Sequence, residues 1–173
     1  MTLVRADRAE VLGTENAMIR LLADGRDTDG AISANRTTLA PGVDGPPPHF
    51  HRGSTEIFFV LDGALEALAG DRVVTLGRGD FLAVPKLMPH AFGSVAEPAD
   101  VLILFAPGML DRLDYFRLGD RVLRGQADPR ELLATQDRYD NHFLDSPLWR
   151  EARGARPARP WISLQPRRPR ARE

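Results

Sequence analysis

The chain has 173 residues, a formal net charge of −1 and no cysteine. This length suits one domain that buries a core without covalent cross-links, and the lack of cysteine excludes disulfides and thiolate metal sites. No charged segment with an apolar run follows the first residue, and no apolar stretch approaches the roughly 18 residues of a membrane span. We therefore predict a cytoplasmic protein that has no membrane partner.

Three weak strand patterns begin the chain and cover residues 10–12, 17–22 and 31–39; Asp-Gly turns at 24–25 and 29–30 precede the third. The third strand is unusually polar, with the run Asn35, Arg36, Thr37 and Thr38. Because side chains alternate between the two faces of a strand, either inward set brings polar groups to the interior. The sequence therefore predicts polar groups directed towards a pocket.

Three of the four histidines and a candidate glutamate follow between residues 42 and 94. His49 and His51 share one face of a strand because side chains alternate with a period of two, and Phe50 points to the other face. Residues 53–54 supply a turn that resets the register before Glu56 opens a second strand beside the first. Two imidazoles and a carboxylate are thus predicted to lie close together.

His90 completes a set of candidate ligands for one metal ion: His49, His51, Glu56 and His90. A single histidine or glutamate on a strand is more often an ordinary hydrogen-bonded side chain, and it is the combined spacing that indicates a metal. Nitrogen and carboxylate ligands without thiolate suit several divalent transition ions. We predict one such ion per chain; Fe²⁺ is favoured, and Mn²⁺, Ni²⁺, Co²⁺ or Zn²⁺ are alternatives.

Beyond Glu56 the pattern is that of an all-β antiparallel domain. Turns are predicted at glycine-containing segments, namely residues 62–63, 70–71 and 77–80. The first would join strands at 57–61 and 64–69. Segments 81–84 and 101–105 are continuously apolar, which predicts strands buried on both faces. Short strands at such regular spacing favour a sandwich or a barrel.

The same alternation predicts the walls of a mainly apolar pocket for a small-molecule substrate. If Glu56 and His90 point inward, so do the residues two and four positions beyond them. With one methionine added, the predicted lining residues are Phe58, Val60, Met88, Phe92 and Ser94. Plain packing in the core is an equal alternative for Phe58 and Val60.

After residue 108 the pattern becomes helical. A first helix is indicated by apolar residues at helical spacing, Met109, Leu113 and Phe116. Asp128 and Pro129 start a second helix as N-cap and first helical residue, and Ser146 starts a third in the same way. His142 lies in this part, outside the barrel, and we expect a hydrogen-bonded or surface histidine rather than a ligand.

The last residues are rich in arginine and proline. Residues 150–173 hold eight Arg and two Glu, which leaves a net charge of −7 for the first 149 residues. We favour a solvated or partner-draping tail over a nucleic-acid arm, because an acidic body repels phosphate and only Trp161 is available for stacking. Trp161 and Ile162 could also anchor the tail on the body or on a second subunit.

Residues 42–63 and 79–94 resemble the two motifs of the cupin superfamily. The first contains His-x-His-x4-Glu-x6-Gly with its ligands in place, and His90 ends the Pro-rich part of the second. Three positions depart from the usual motif: six residues rather than five separate Gly42 from His49, Leu87 replaces a glycine, and Ser94 replaces an asparagine. None of these changes removes a ligand.

This resemblance covers about residues 30–107. It implies a double-stranded β-helix, the jelly-roll barrel of cupins, over residues 1–107. A helical extension would follow at 108–150 and the Arg/Pro-rich tail at 151–173. We also expect a homodimer, because the edge strands of an open jelly roll invite pairing and the apolar stripes of the C-terminal helices exceed one barrel face.

The C-terminal half adds a weaker resemblance. Phe-Ala-Pro-Gly at 105–108, an aromatic helix and the segment from Asp128 to Tyr139 are similar to single-domain cupins of the quercetinase-like (flavonol dioxygenase) group. In that group a metal-bound substrate reacts with dioxygen, and the glutamate ligand also accepts the substrate proton. Carried onto this sequence, the resemblance implies a dioxygenase of an aromatic or enol-bearing small molecule, with Glu56 as the base.

Two other functions stay open from the sequence. One is a redox-neutral cupin enzyme, such as a polyketide cyclase or an isomerase, in which the metal polarises a carbonyl as a Lewis acid. The other is a cupin that binds a small molecule without turnover. A regulatory role is not favoured, because no helix-turn-helix pattern precedes or follows the barrel.

Overall fold

The computed structural model describes residues 1–154 and contains nine strands in one antiparallel network. The strands are β1 (Val11–Thr14), β2 (Ala17–Ala23), β3 (Ser33–Leu39), β4 (His49–Phe50), β5 (Thr55–Ala69), β6 (Arg72–Gly77), β7 (Phe81–Val84), β8 (His90–Ala106) and β9 (His142–Phe143). After a 3-10 turn at Gly25–Asp27, the helices are α1 (Arg112–Leu123), α2 (Pro129–Ala134), α3 (Gln136–Tyr139) and α4 (Pro147–Arg153). The predicted all-β class with C-terminal helices is confirmed.

The two long strands, β5 and β8, connect the halves of the sheet. They pair with each other along nearly their whole length, from Thr55 opposite Ala106 to Ala69 opposite His90. Strands β3 and β7 flank this pair at one end, and β4 and β6 flank it at the other. Because the pairing of β5 with β8 is irregular midway, the long strands bend there and the sheet closes over its apolar face as a jelly roll.

The predicted hairpin turn at residues 62–63 is wrong. Strand β5 continues through these residues, and its register with β8 shifts on both sides of them. Gly63 has φ +72°, and a Cβ atom there would lie 1.8 Å from the carbonyl oxygen of Pro98. A glycine is required because the backbone is left-handed and β8 approaches closely, so the Asp-Gly pair forms a bulge instead of a turn.

The other two predicted turns are confirmed, since residues 70–71 join β5 to β6 and residues 77–80 join β6 to β7. The prediction that segments 81–84 and 101–105 are buried on both faces is wrong. Phe81 is 62% exposed, and β8 alternates buried with half-buried side chains. Only one face of each strand packs on the barrel interior, so the outward side chains stay partly accessible.

Strands β4 and β5 were predicted to lie beside each other, but within residues 1–154 no pairing joins them. Each pairs with β8 instead, and β4 also pairs with β9 from the C-terminal extension. The chain between β4 and β5 turns at Arg52 and Gly53, which are exposed. This route brings the end of β4 and the start of β5 to the same interior position.

The helix caps follow the prediction. The Asp128 side chain accepts a hydrogen bond from the Arg130 amide, and the Glu131 side chain accepts one from the Asp128 amide. Ser146 likewise accepts from the Trp149 amide. Helix α1 starts three residues after Met109, whose carbonyl instead bonds Gly25 and Ser33.

Helix α4 continues to Arg153 and so takes up the first residues of the predicted tail. Arg153 is buried and lies 2.7 Å from Asp44 and 2.8 Å from Glu66, which fixes α4 on the barrel. The rest of the tail, including Trp161, lies outside the described residues. No helix in residues 1–154 has both the length and the hydropathy to cross a membrane.

Candidate metal centre

Three imidazoles and one carboxylate meet inside the barrel, contributed by the end of β4, the start of β5 and the start of β8. They are the four predicted ligands, His49, His51, Glu56 and His90, and one donor atom from each lies within 4.8 Å of the others. All four side chains are at most 2% exposed. The predicted alternation is confirmed, because His49 and His51 are buried and Phe50 between them is only half-buried.

Each imidazole is held from behind by a backbone carbonyl group. Nδ1 of His49 lies 2.9 Å from the oxygen of Pro47, and Nδ1 of His90 lies 2.9 Å from that of Met88. Nδ1 of His51 contacts the oxygen of Asp140 in the same way. Because a carbonyl oxygen can only accept, Nδ1 carries the proton in all three rings. In the neutral rings the Nε2 lone pairs are therefore directed inward.

These Nε2 atoms converge on one oxygen of Glu56. Oε2 lies 2.7 Å from Nε2 of His90, 2.9 Å from that of His51 and 3.8 Å from that of His49. Nε2 of His49 is buried and has no hydrogen-bond partner among residues 1–154. Neutral Nε2 atoms and a carboxylate oxygen are all acceptors, so the contact needs either extra protons or a shared cation.

Burial and charge set the protonation states of this group. Burial lowers the pKa of His49 well below its usual value, and the neighbouring imidazoles lower it further. Burial also lowers the pKa of His51. Burial opposes ionisation of Glu56, but when His90 is charged and Nε2–H of His51 and His90 donate to Oε2, these interactions outweigh it and the pKa of Glu56 falls well below its usual range. A neutral imidazole and an ionised carboxylate are the forms that bind metals.

The group fits a divalent transition ion. Donors of one ion lie roughly 3–4 Å apart, because each is about 2.0–2.2 Å from the metal, and the spread of this group is compatible with that spacing. The fixed Nδ1 protons match the arrangement in which metal-binding histidines use the second ring nitrogen on a carbonyl or carboxylate. Three imidazoles and one carboxylate thus form a site suited to a metal ion.

Leu87, at the position where the cupin motif has glycine, keeps the geometry that a glycine would favour. Its φ is +67°, and its amide donates to the carbonyl oxygen of His51 at 2.7 Å. The amide of Met88 closes the same turn on the oxygen of Pro85 at 3.2 Å. The substitution therefore leaves the turn behind His51 and His90 in place.

Asp140 holds His51 from the C-terminal extension, and the sequence did not indicate this role. It ends α3 with φ +47°, and its carbonyl oxygen accepts from Nδ1 of His51. Its carboxylate accepts from the amides of Arg52 and Gly53, both at 2.7 Å. An aspartate tolerates the left-handed conformation at a helix end, but its contact with His51 depends on the tertiary fold. The extension is therefore part of the scaffold of the site.

We expect Asp140→Ala to weaken metal binding about 10–100-fold, as is usual when a partner of a metal-binding histidine is lost. Alanine tolerates the left-handed backbone poorly and makes no bonds to residues 52–53, so the carbonyl behind His51 shifts. Competition with a chromogenic chelator measures the affinity. Asp145→Ala, which removes an exposed carboxylate from the same segment, is the matched control. Equal affinities of Asp140→Ala and the parent would contradict this positioning role.

A narrow, mainly apolar cavity lies beside Glu56 and His49. Its other walls come from β2, β3, the loop before β4, β8 and α1, and consist of Ala17, Ile19, Thr37, Leu39, Gly45, Pro46, Phe92, Phe105, Arg112, Tyr115 and Phe116. Thr37 is buried and accepts a hydrogen bond from Asn35 at 2.9 Å, so β3 does bring polar groups inward. Helix α1 closes the cavity, which the sequence did not reveal.

The structure brings one of the five predicted lining residues, Phe92, to this cavity. Phe58 and Val60 point inward but are fully buried in the core, where Phe58 packs edge-to-face on Phe92 at 5.3 Å. The alternative of plain core packing describes both residues. Met88 contributes its backbone carbonyl to His90.

Ser94 is buried beside the loop that precedes β4. Its hydroxyl donates to the carbonyl oxygen of Ala40 and accepts from the amide of Val43 at 2.9 Å. A short hydroxyl side chain reaches these backbone groups directly, so Ser94 fixes the loop and does not line the cavity.

His142, as predicted, does not belong to the group of four. It lies on β9, stacks on Phe50 with ring centroids 5.0 Å apart, and places Nε2 3.3 Å from the Asp140 carboxylate. His142 is therefore the cross-strand neighbour of Phe50, on the face of β4 opposite to His49.

Comparison with known proteins relates both the sequence and the fold to cupins. Residues 35–105 match the cupin domain family. Quercetin 2,3-dioxygenase from Bacillus subtilis (strain 168) is 28% identical over 108 residues, which are 62% of this chain and 31% of that protein. The chain thus spans about a third of the length of this relative.

Solved structures share the barrel. KdgF from Halomonas sp. superposes with a TM-score of 0.54 at 20% identity, over 61% of this chain and 94% of that protein. The polyketide cyclase RemF from Streptomyces resistomycificus gives 0.51 at 22% identity, over 61% and 79%. At these identities the likeness shows the fold alone.

Proposed function

We propose that this chain, which contains a cupin domain at residues 35–105, is a metal-dependent dioxygenase. Its substrate is an aromatic or enol-bearing small molecule. The main support for this proposal is that three Nε2 lone pairs and the Glu56 carboxylate converge next to an apolar cavity. Two histidines with one carboxylate are typical of non-haem iron oxygenases, here extended by a third histidine. The similarity to quercetin 2,3-dioxygenase supports the same reaction class.

In this proposal His49, His51, Glu56 and His90 hold the ion. When bound, a divalent ion supplies Lewis acidity and, if it is iron, a route to dioxygen. The carbonyl groups behind the imidazoles keep the rings oriented, so the binding geometry is set before the ion arrives. The apolar walls formed by Ile19, Phe92 and Phe105 exclude bulk water from a bound substrate.

Glu56 is the proposed general base. Its Oε2 atom faces the three imidazoles, so Oε1 is the oxygen assigned to the substrate. Glu56 also lines the cavity, where an acidic hydroxyl could approach Oε1 within the roughly 2.6–3.2 Å that proton transfer requires. The carboxylate is ionised at neutral pH and can therefore accept that proton.

Turnover is expected to consume dioxygen. With the iron-loaded protein and a panel of flavonol and enol substrates, we expect oxygen uptake to accompany product formation, as measured with an oxygen electrode. Zn²⁺-loaded protein is the control, because zinc has no redox chemistry. Unchanged product formation under strict anaerobiosis would contradict the proposal and assign the chain to the redox-neutral cyclase or isomerase class. If the iron-loaded protein binds a compound of this panel without turnover, the chain belongs to the cupins that only bind small molecules.

We further propose that the protein is a homodimer that pairs through the outer face of the barrel. Phe59 lies opposite Phe81 on β7 and opposite Leu102 on β8, and these outward side chains form an apolar row. Phe59 is 37% exposed and Phe81 is 62% exposed. A row of exposed aromatic residues on a sheet is typical of an interaction surface.

Light scattering at micromolar concentration is expected to give twice the chain mass of 19.1 kDa. Phe81→Glu should shift the mass to that of a monomer, because the charge would be buried at the interface. Leu110→Glu, at a similarly exposed apolar residue away from this row, should leave the dimer intact. A monomeric parent protein would contradict this assembly.

A further inference from the structure

Helix α1 places a guanidinium group at the cavity that Glu56 lines. Arg112 is 2% exposed and belongs to the cavity wall. Its guanidinium carbon lies 4.1 Å from the ring centroid of Phe105, 4.6 Å from that of Tyr115 and 5.1 Å from that of Phe116. Charged side chains are almost never buried to this extent unless they are paired.

The Asp24 carboxylate accepts a hydrogen bond from the Arg112 backbone amide at 3.1 Å, but among residues 1–154 no carboxylate lies within ion-pairing distance of the Arg112 guanidinium group. Its two Nη atoms donate to neutral oxygens, the carbonyl of Tyr139 at 3.2 Å and the side chain of Asn141 at 3.3 Å. Its buried Nε atom has no partner there. Arg153, the other arginine that is buried in the described part of the chain, lies 2.7 Å from Asp44 and 2.8 Å from Glu66. The carboxylates of Glu56, Asp140 and Asp24 act on the Arg112 charge only from beyond ion-pairing distance, and the aromatic faces compensate it only in part. Arg112 therefore has donor capacity left for an anion.

Tyr115 adds a second donor on the same wall. Its side chain is buried, it lines the cavity, and its hydroxyl has no hydrogen-bond partner among the described residues. Burial raises the pKa of Tyr115 to about 12, so the hydroxyl keeps its proton at neutral pH. It can therefore donate to a negatively charged oxygen.

We propose that Arg112 binds an anionic oxygen of the substrate, a carboxylate or an enolate, and that Tyr115 donates a second hydrogen bond to it. The inference rests on the proposed function and narrows its substrate to small molecules that carry an acidic group. The ring of Phe105 contacts both Arg112, at 4.1 Å, and the imidazole of His51, at 5.4 Å. Arg112 and the metal ligands His49 and Glu56 also line the same cavity, so one small molecule can contact both the anion site and the metal group.

The test measures anion binding to the Zn²⁺-loaded full-length chain by calorimetry and by thermal stabilisation. Acetate and benzoate are the probes, and acetamide and benzamide are their neutral counterparts of nearly equal shape. We expect each carboxylate to bind at least about tenfold more tightly than its amide, as a charge-assisted hydrogen bond implies. Because zinc does no oxygen chemistry, a failure to bind carboxylates leaves the dioxygenase proposal intact. Likewise, a failure of oxygen uptake with the iron-loaded protein leaves the anion site intact.

Variants separate Arg112 from the metal as the anion site. Arg112→Met keeps the length and the apolar contacts with the rings, and we expect benzoate binding to weaken about 10–100-fold at unchanged zinc content. Arg112→Lys should restore part of that loss, and Tyr115→Phe should weaken binding about 2–10-fold.

Benzoate binding by Arg112→Met with the parent affinity would overturn the proposal, since the carboxylate would then bind the metal or another site. Equal binding of benzoate and benzamide to the parent would overturn it as well. If Arg112→Met does not fold, Tyr115→Phe and the ratio of benzoate to benzamide affinity decide the question in the same way.

Discussion

His51→Ala is expected to lose bound metal and activity together. His51 supplies one of three inward Nε2 atoms, and its ring is fixed by the carbonyl oxygen of Asp140 on the opposite side. Alanine removes the donor atom, and three of the four candidate ligands remain. We expect metal affinity to fall by more than about 100-fold, beyond the 10–100-fold effect of losing a partner of such a ligand.

His142→Ala is the matched control, because it also removes a buried imidazole on a strand next to β4. It should keep its metal and most of its activity, although its fold loses the stacking on Phe50. Elemental analysis and turnover are measured on the same preparations. A fully metallated His51→Ala protein would remove this histidine from the proposed ligand set.

Glu56→Gln is expected to keep a substantial part of its metal and to lose turnover by about 10²–10⁴-fold, the usual contribution of general acid–base catalysis. Glutamine has the same size and retains one carbonyl oxygen, and three imidazoles remain to hold the ion. What it lacks is the basic oxygen that accepts the substrate proton. This variant therefore separates ligation from chemistry at one residue.

The comparison must be made at matched metal content, by dividing the rate by the metal bound. Glu66→Gln is a suitable control on the same strand, because its carboxylate pairs with Arg153 and not with the histidines. If fully metallated Glu56→Gln turns over within a few-fold of the parent, Glu56 is not the base. The enzyme proposal would then lose its only acid–base group.

The metal group could be predicted because its members are local in sequence. His49 and His51 share a face through the two-residue period of a strand, and the motif spacing adds Glu56 and His90. The same period placed Phe58 and Val60 on the inward face. This period could not show whether an inward side chain lines the cavity or packs in the core, because the outcome depends on which residues of β2, β3 and α1 lie opposite.

The turn at residues 62–63 shows a second limit. An Asp-Gly pair is compatible with both a hairpin turn and a bulge, because both need a glycine in the left-handed backbone conformation. Here the choice depends on Pro98, 35 residues away, whose carbonyl lies against Gly63. The turn preference of a residue pair carries no information about such a distant contact.

Arg112 and Asp140 were missed for the same reason, since both act on barrel residues far away in the chain. Arg112 did leave a signal in the sequence. It lies four residues before Phe116 and therefore on the apolar face of its helix. A charge on an apolar helix face indicates either a buried ion pair or a site.

The metal content of the parent protein decides whether the four side chains form a metal site. The full-length chain is purified without chelator, and a second sample is reconstituted with Fe²⁺ and freed of excess ion before elemental analysis. We predict close to one divalent transition ion per chain, as a single group of three imidazoles and one carboxylate requires. A protein that holds no transition metal in either sample would contradict the proposed metal site.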